Sequence, residues 1–99
     1  MQLRFTEAAQ RDIEEVGDYI AQDRPLTAAG FTRDLWAICL SLAQYPERFS
    51  IFTEHDGRAF RRRVFAPYSI YCVILGDVVE VIRVLHNARD QRRALFPDD

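Results

Sequence analysis

Apolar positions recur along this chain with two different periods, and the change from one to the other divides it. Leu3 and Phe5 alternate with Gln2 and Arg4, which predicts a short strand over residues 2–5. Thr6 followed by Glu7 has the form of a helix N-cap with an acid in the first turn. From there the period lengthens: Ala9, Ile13, Val16 and Ile20 recur at spacings of four, three and four, one apolar face of a helix. Asp12, Glu14, Glu15 and Asp18 read as positions off that face, a solvated surface. Asp23-Arg24-Pro25 ends this helix, and Pro25 or Thr27 opens the next. Phe31, Leu35, Ile38, Leu42 and Tyr45 then repeat every three or four residues, while Trp36, Cys39 and Leu40 widen the stripe. That pattern predicts a second helix buried on two sides and stopped by Pro46. Two helices across a short turn make an αα-hairpin.

The second half is strand-like. Residues 46–57 read as a loop, polar and turn-rich around Glu54-His55-Asp56-Gly57. Residues 59–65 alternate, with Phe60, Arg62 and Val64 on one side and Arg61, Arg63 and Phe65 on the other. Ala66-Pro67-Tyr68 supplies a turn, residues 69–75 (SIYCVIL) a strand, and Gly76-Asp77 a tight hairpin. Val78, Val79, Val81, Ile82, Val84 and Leu85 have the β-branched density of a buried strand near the middle of a sheet. That strand breaks off into a polar cluster, His86, Asn87, Arg89 and Asp90, where a rigid scaffold presents chemistry to a partner. Gln91 to Asp99 reads as a short helix or a tail folded back on the sheet. The order β-α-α-β-β-β predicts an α+β fold, with the helix hairpin packed on one face of a mainly antiparallel sheet.

Ninety-nine residues bound a single domain, 1–99. No apolar run approaches the roughly 20 residues of a membrane span, and the N-terminus lacks the regions of a signal peptide, so the expected compartment is the cytoplasm. Cys39 and Cys72 sit in apolar segments outside any CxxC pair, which predicts two reduced core thiols. His55 lies in its turn without a second ligand at zinc spacing, and no metal or cofactor is expected. The net charge of −2 is uneven: residues 1–56 carry five Arg against ten acids, residues 57–99 eight Arg against five. Every basic residue is arginine, so lysine chemistry is excluded. Arginine's planar fork suits carboxylates and phosphates.

The full pattern resembles the ParE-type toxins of the RelE/ParE superfamily over nearly the whole chain. The residues that carry the resemblance are Tyr45-Pro46 after the second helix, Arg61 to Val64 opening the sheet, and Tyr68-Ser69-Ile70-Tyr71. The strongest piece is Ile82 to Asp90, IRVLHNARD. The resemblance implies the toxin of a type II toxin–antitoxin pair, held in a hetero-oligomeric complex by a ParD-like antitoxin. ParE-type toxins are associated with poisoning DNA gyrase, whereas RelE-type relatives cleave mRNA on the ribosome; fold alone does not choose.

RNA cleavage through the 2′-hydroxyl needs a base, an acid and cationic stabilisation of the transition state. RelE-like toxins meet this with Lys and Arg residues and often a Tyr near the C-terminus. Here there is no Lys and no Tyr after Tyr71, and position 89 is Arg. A substitute set is His86 as base, Arg83 and Arg61 on the phosphate and Glu80 orienting, although Arg83 and His86 share a strand face only if the strand bends between them. Gyrase poisoning needs a binding surface, for which Arg83, His86, Arg89, Asp90, Arg92 and Arg93 are the candidates, with Phe96 beside them. The bland alternative makes His86, Arg89 and Asp90 a C-terminal lock, with Asp90 paired to an Arg and His86 bonded to backbone. Candidate antitoxin contacts are Trp36, Leu40 and Tyr45 on the helix hairpin, with Arg61, Arg62 and Arg63 on the strand. A non-toxic remnant, stable only with its partner, is the third reading.

Overall fold

Helix and strand boundaries follow the capping and turn chemistry of the sequence. The computed structural model describes residues 1–98. Strand β1 (Gln2–Phe5) leads into helix α1 (Glu7–Ala21), whose first turn is capped by Thr6 Oγ1 accepting from the Ala9 amide, worth about 1 kcal/mol. Helix α2 (Pro25–Ser41) begins with Pro25 in the first turn, where no amide hydrogen is needed. A 3-10 turn (Pro46–Arg48) precedes β2 (Ser50–His55), β3 (Arg58–Phe65), β4 (Tyr68–Leu75) and β5 (Val78–His86), and a short helix α3 (Gln91–Leu95) follows. The hairpin between β4 and β5 turns at Gly76, whose φ of +62° suits a residue without Cβ.

The sheet order is β1-β5-β4-β3-β2, antiparallel throughout except for the parallel pair β1–β5. The expected α+β architecture holds, with the helix hairpin on a mainly antiparallel sheet. It gains a strand: residues 50–55, expected as loop, pair with β3 as the sheet's edge. Ile51 and Phe52 are apolar neighbours where a strand would alternate, and the register shift between Ile51 and Thr53 falls at that point, which hides the period of two. The central strand is β4, with the apolar β5 beside it.

The helix hairpin covers one face. Ala9, Ile13 and Val16 of α1 and Leu35, Cys39 and Leu42 from the second helical segment meet Ile70, Cys72, Val79, Val81 and Val84 in the core. Each fully buried aliphatic side chain there contributes about 1.5–3 kcal/mol. The opposite face is covered by the C-terminal segment, so the tail folds back on the sheet as a short helix. Tyr71, buried completely, donates from its hydroxyl to Gln91 Oε1. Phe96 stacks on His55 with ring centroids 3.9 Å apart and meets Phe60 edge-on. Asp99, the end of the predicted tail, lies outside the described residues.

Two expectations about the helices are corrected. Asp12 is not part of a solvated surface; it is 6% exposed and packs at the sheet edge. Helix α2 is not buried on two sides, because Trp36 is 37% and Leu40 61% exposed, and Tyr45 stands at 79%. Its second apolar flank faces outward.

Candidate functional site

The geometry of the site turns on one extra residue in β5. The β4–β5 register pairs Cys72 with Val81 but Tyr71 with Arg83, so Ile82 is bulged out of the ladder. Before the bulge, Val79 and Val81 face the helices; after it, Val84 and His86 do, opposite Ile70 and Tyr68. Arg83 and Leu85 therefore fall on the other face. Strand β1 stops pairing at Val81, where the Thr6 amide donates to the Val81 carbonyl and the Thr6 hydroxyl to the Ile82 carbonyl. Beyond that point the edge of β5 is open to a side chain from α1.

Asp12 fills it. Its Oδ2 accepts from the Val84 amide at 2.9 Å and from Arg83 Nε at 2.7 Å, while Oδ1 accepts from Arg83 Nη2 at 2.9 Å. Arg83 Nη1 donates onward to the Ala94 carbonyl in α3 at 3.1 Å. One guanidinium thus ties together α1, β5 and α3. Hydrogen bonding to Asp12 raises the Arg83 pKa above its ordinary value, burial opposes the rise, and the charges of Asp12 and Glu15 add to it. Asp12 escaped the sequence reading, although its spacing of three from Ala9 and four to Val16 places it beside that helical face.

The remaining predicted residues are distributed as follows. His86 is exposed, its Nδ1 accepts from the Ala88 amide at 3.0 Å, and its ring lies 5.3 Å from Tyr68. Asp90 forms no ion pair with an arginine side chain among the described residues; it caps α3, accepting from the Arg93 amide at 3.1 Å. Asn87 and Ser69 hydrogen-bond side chain to side chain. Arg89, Arg92 and Arg93 are all exposed, with Arg92 Nη1 donating to Thr53 Oγ1 at 2.7 Å. His55, Asp90, Arg92, Arg93 and Phe96 line a cleft of about 350 Å³.

On the other strands, Arg61 Nη1 donates to the Glu47 and Phe49 carbonyls at 3.1 and 2.7 Å, pinning the 3-10 turn to β3. Arg62 lies over the Phe52 ring on the α3 face, and Arg63 over Phe49 on the helix side. Glu80 pairs with Arg4 at 2.8 Å across β1 and β5. His86, Arg83 and Arg61 are not brought together. Arg83 and His86 are on opposite faces, and Arg61 sits opposite Cys72 while His86 sits opposite Tyr68. That offset is four residues along β4, about 13 Å at ~3.3 Å per residue.

The helix hairpin presents a separate apolar surface. Trp36 meets Phe5 edge-on at 4.9 Å yet keeps its outer rim exposed, with Leu40 one turn further on. Tyr45 takes a left-handed backbone, φ +53°, beside a groove of about 560 Å³ that Met1 and Glu47 also line. Burial pushes the Cys39 thiol up to about 12, with Cys72 adding to the shift, and the Cys72 thiol to about 11, against the opposing pull of Arg61. Both are inert core groups at neutral pH. Among the described residues, no group of three His, Cys, Asp or Glu is placed to hold a metal ion, and no helix is long and apolar enough to cross a membrane.

Comparison with known proteins agrees with this architecture. The family of ParE toxins of the type II toxin–antitoxin system, parDE, matches residues 3–91. Toxin RelE2 of Caulobacter vibrioides is 34% identical over 89 residues, covering 89% of this chain and 97% of that protein. A chain of the chromosomal ParDE toxin–antitoxin system from P. aeruginosa shares the fold with a TM-score of 0.76, at 20% identity over 87% of this chain and 95% of its own. On this sequence match and this fold, the chain belongs to the ParE-type toxins of the RelE/ParE superfamily, the toxin components of type II toxin–antitoxin systems.

Proposed function

We propose that this toxin acts by binding, as a poison of DNA gyrase in the cytoplasm, and that it does not cleave RNA. The observation that carries the reading is the engagement of the would-be catalytic set. Arg83 is held by Asp12 and Ala94, Arg61 by two backbone carbonyls, and His86, whose Nδ1 accepts from the Ala88 amide, lies on the other face from Arg83. A general base must reach its proton and a cation the phosphate within one substrate pose, and Arg61 and His86 stand on strand positions about 13 Å apart along β4, at ~3.3 Å per residue, while Arg83 is on the other face. What remains exposed for a target is the arginine surface after β5: Arg89 just before the short α3 that Arg83 anchors, and Arg93 and Arg92 on it, Arg92 with one donor on Thr53.

The antitoxin reading rests on the opposite side of the molecule. A ParD-like antitoxin covering Trp36, Leu40 and Tyr45 with an amphipathic helix would bury an apolar flank that α2 otherwise leaves in water. Extended chain beside β2 would reach Arg62 and the edge of the sheet. Toxin and antitoxin then form the hetero-oligomeric resting complex.

The test is a supercoiling and cleavage assay with purified, antitoxin-free toxin, gyrase, plasmid and ATP. Lost supercoiling with accumulating cleaved DNA is the expected result. Inert behaviour towards gyrase, together with transcript cleavage in a translating extract that disappears in His86→Ala, would overturn it in favour of the ribonuclease. Growth unaffected by expression without antitoxin would point to the non-toxic remnant.

A further inference from the structure

Resting on the gyrase reading, we infer that the arginine surface around α3 grips DNA phosphates in the gyrase–DNA complex, so that the toxin binds the complex and not the enzyme alone. Residues 89–93 carry three Arg against one Asp, a local charge of +2 in a chain whose net charge is −2. The one acid lines the same hollows but spends Oδ1 on the α3 cap, accepting from the Arg93 amide. Among the described residues, no carboxylate forms an ion pair with Arg89, Arg92 or Arg93. Arg93 borders both the cleft shared with Arg92 and His55 and a second hollow of about 280 Å³ shared with Arg89. The three guanidiniums therefore fan over adjoining concave surface.

Two features favour phosphate over a protein partner. Protein hot spots pair arginine with buried aromatic anchors, and here the arginines stand without them, because the exposed large apolar side chains, Trp36, Leu40, Tyr45 and others, all lie outside α3. Guanidinium, in contrast, matches phosphate oxygens with its planar fork and is only weakly hydrated. The platform is also rigid: the Tyr71 and Arg83 hydrogen bonds hold the α3 segment at two points, and Arg92, with Nη1 on Thr53, keeps its remaining donors for phosphate. Preorganised donors lose less conformational entropy on binding.

The experiment is fluorescence anisotropy of labelled toxin titrated with gyrase, with and without a duplex DNA fragment, across salt concentrations. Each phosphate neutralised steepens the fall of log affinity with log salt by about 0.9. For wild type on gyrase–DNA, affinity between ~50 and ~200 mM salt should fall about 40-fold more than for the triple variant R89Q/R92Q/R93Q. A charge-matched control, R11Q/R24Q/R33Q, should keep the wild-type slope. Should the triple variant not fold, Arg89→Gln and Arg93→Gln singly should each flatten the slope by about one unit, since neither side chain makes a hydrogen bond among the described residues. Equal flattening in the control overturns the inference, as does Arg-dependent, salt-sensitive capture by gyrase without DNA, which would assign the surface to an acidic protein segment. Capture by gyrase in neither form would overturn the gyrase reading along with it.

Discussion

Asp12→Ala removes the acceptor of three hydrogen bonds, those from Arg83 Nε, Arg83 Nη2 and the Val84 amide at 2.7, 2.9 and 2.9 Å. The Asp12 side chain is 7% exposed and that of Arg83 21%, so water replaces the lost carboxylate poorly. Removing one partner of a buried pair leaves an uncompensated charge and costs about 3–5 kcal/mol. The Val84 amide, left without an acceptor, adds roughly 1–3 kcal/mol. The Arg83 head can relax partly toward solvent, which places the net loss at about 3–5 kcal/mol. A domain of this size is stable by about 5–15 kcal/mol, so the variant approaches the edge of folding. At about 4–8 °C per kcal/mol, Tm falls by roughly 12–40 °C. Urea denaturation followed by circular dichroism measures the loss as a lower midpoint at constant slope. Asp12→Asn, which keeps an acceptor for Val84 but not the charge, falls between. The double variant D12L/R83M, with no charge left to strand, recovers much of the loss. A cost below about 1 kcal/mol for Asp12→Ala would mean the carboxylate is solvated, and the clamp joining α1, β5 and α3 would be refuted.

Tyr71→Phe leaves Gln91 Oε1 without its donor and should cost about 1 kcal/mol, with faster amide exchange confined to α3 as the distinguishing readout. Trp36→Ala should weaken the cognate ParD-like antitoxin by about 2 kcal/mol or more, some 30-fold in Kd by calorimetry, while Leu40→Asp does the same with thermal stability retained, because Leu40 is already 61% exposed. An unchanged Kd in both variants would remove the α2 flank from the antitoxin interface. The thiols titrate near 9.0 when unfolded and near 12 and 11 when folded, so above pH 9 the unfolded chain holds fewer protons than the native one. Their contribution is therefore intact below about pH 9 and is lost as pH rises through the folded values. Urea midpoints should fall more steeply there in wild type than in the variant with both cysteines replaced by Ala, and native protein at neutral pH should resist thiol reagents until unfolded.

Much of this fold is legible in the sequence because its signals are local. Thr6 caps α1, Pro25 opens α2, Gly76 turns the last hairpin and the valines of β5 declare a buried strand. Strand β2 is not legible, because the register shift between Ile51 and Thr53 breaks its alternation and the polar turn at Glu54 to Gly57 resembles a loop. The outward flank of α2 is hidden for another reason. An apolar stripe widened by Trp36, Cys39 and Leu40 leaves little asymmetry to say which flank is buried, and only the position of the sheet shows that Trp36 and Leu40 face away. The site is less legible than the fold. IRVLHNARD supplies the family resemblance, but the roles of its residues depend on Asp12, about 70 residues earlier in the chain.

The bulge at Ile82 explains that dependence and separates the two jobs of the C-terminal sequence. Without it, strict alternation would continue from Val79 and Val81 to Arg83, which would point its charge into the helix-packed core. The extra residue sends Val84 to the core in its place and leaves Arg83 on the other face, within reach of both Asp12 and the Ala94 carbonyl. The arginine within the strand thereby becomes an anchor for α3, while the arginines beyond it, 89, 92 and 93, stay exposed on the segment it anchors. A cation with its carboxylate already in place has little left to offer a phosphate or a transition state, since three of its five donors are engaged and its charge is balanced. The same short run of sequence thus holds Arg83, which fixes the scaffold, Arg89 and Arg93, which the scaffold displays, and Arg92, which does some of both through Thr53. Substituting Arg83 tests stability and α3 order; substituting Arg89 and Arg93 tests the target.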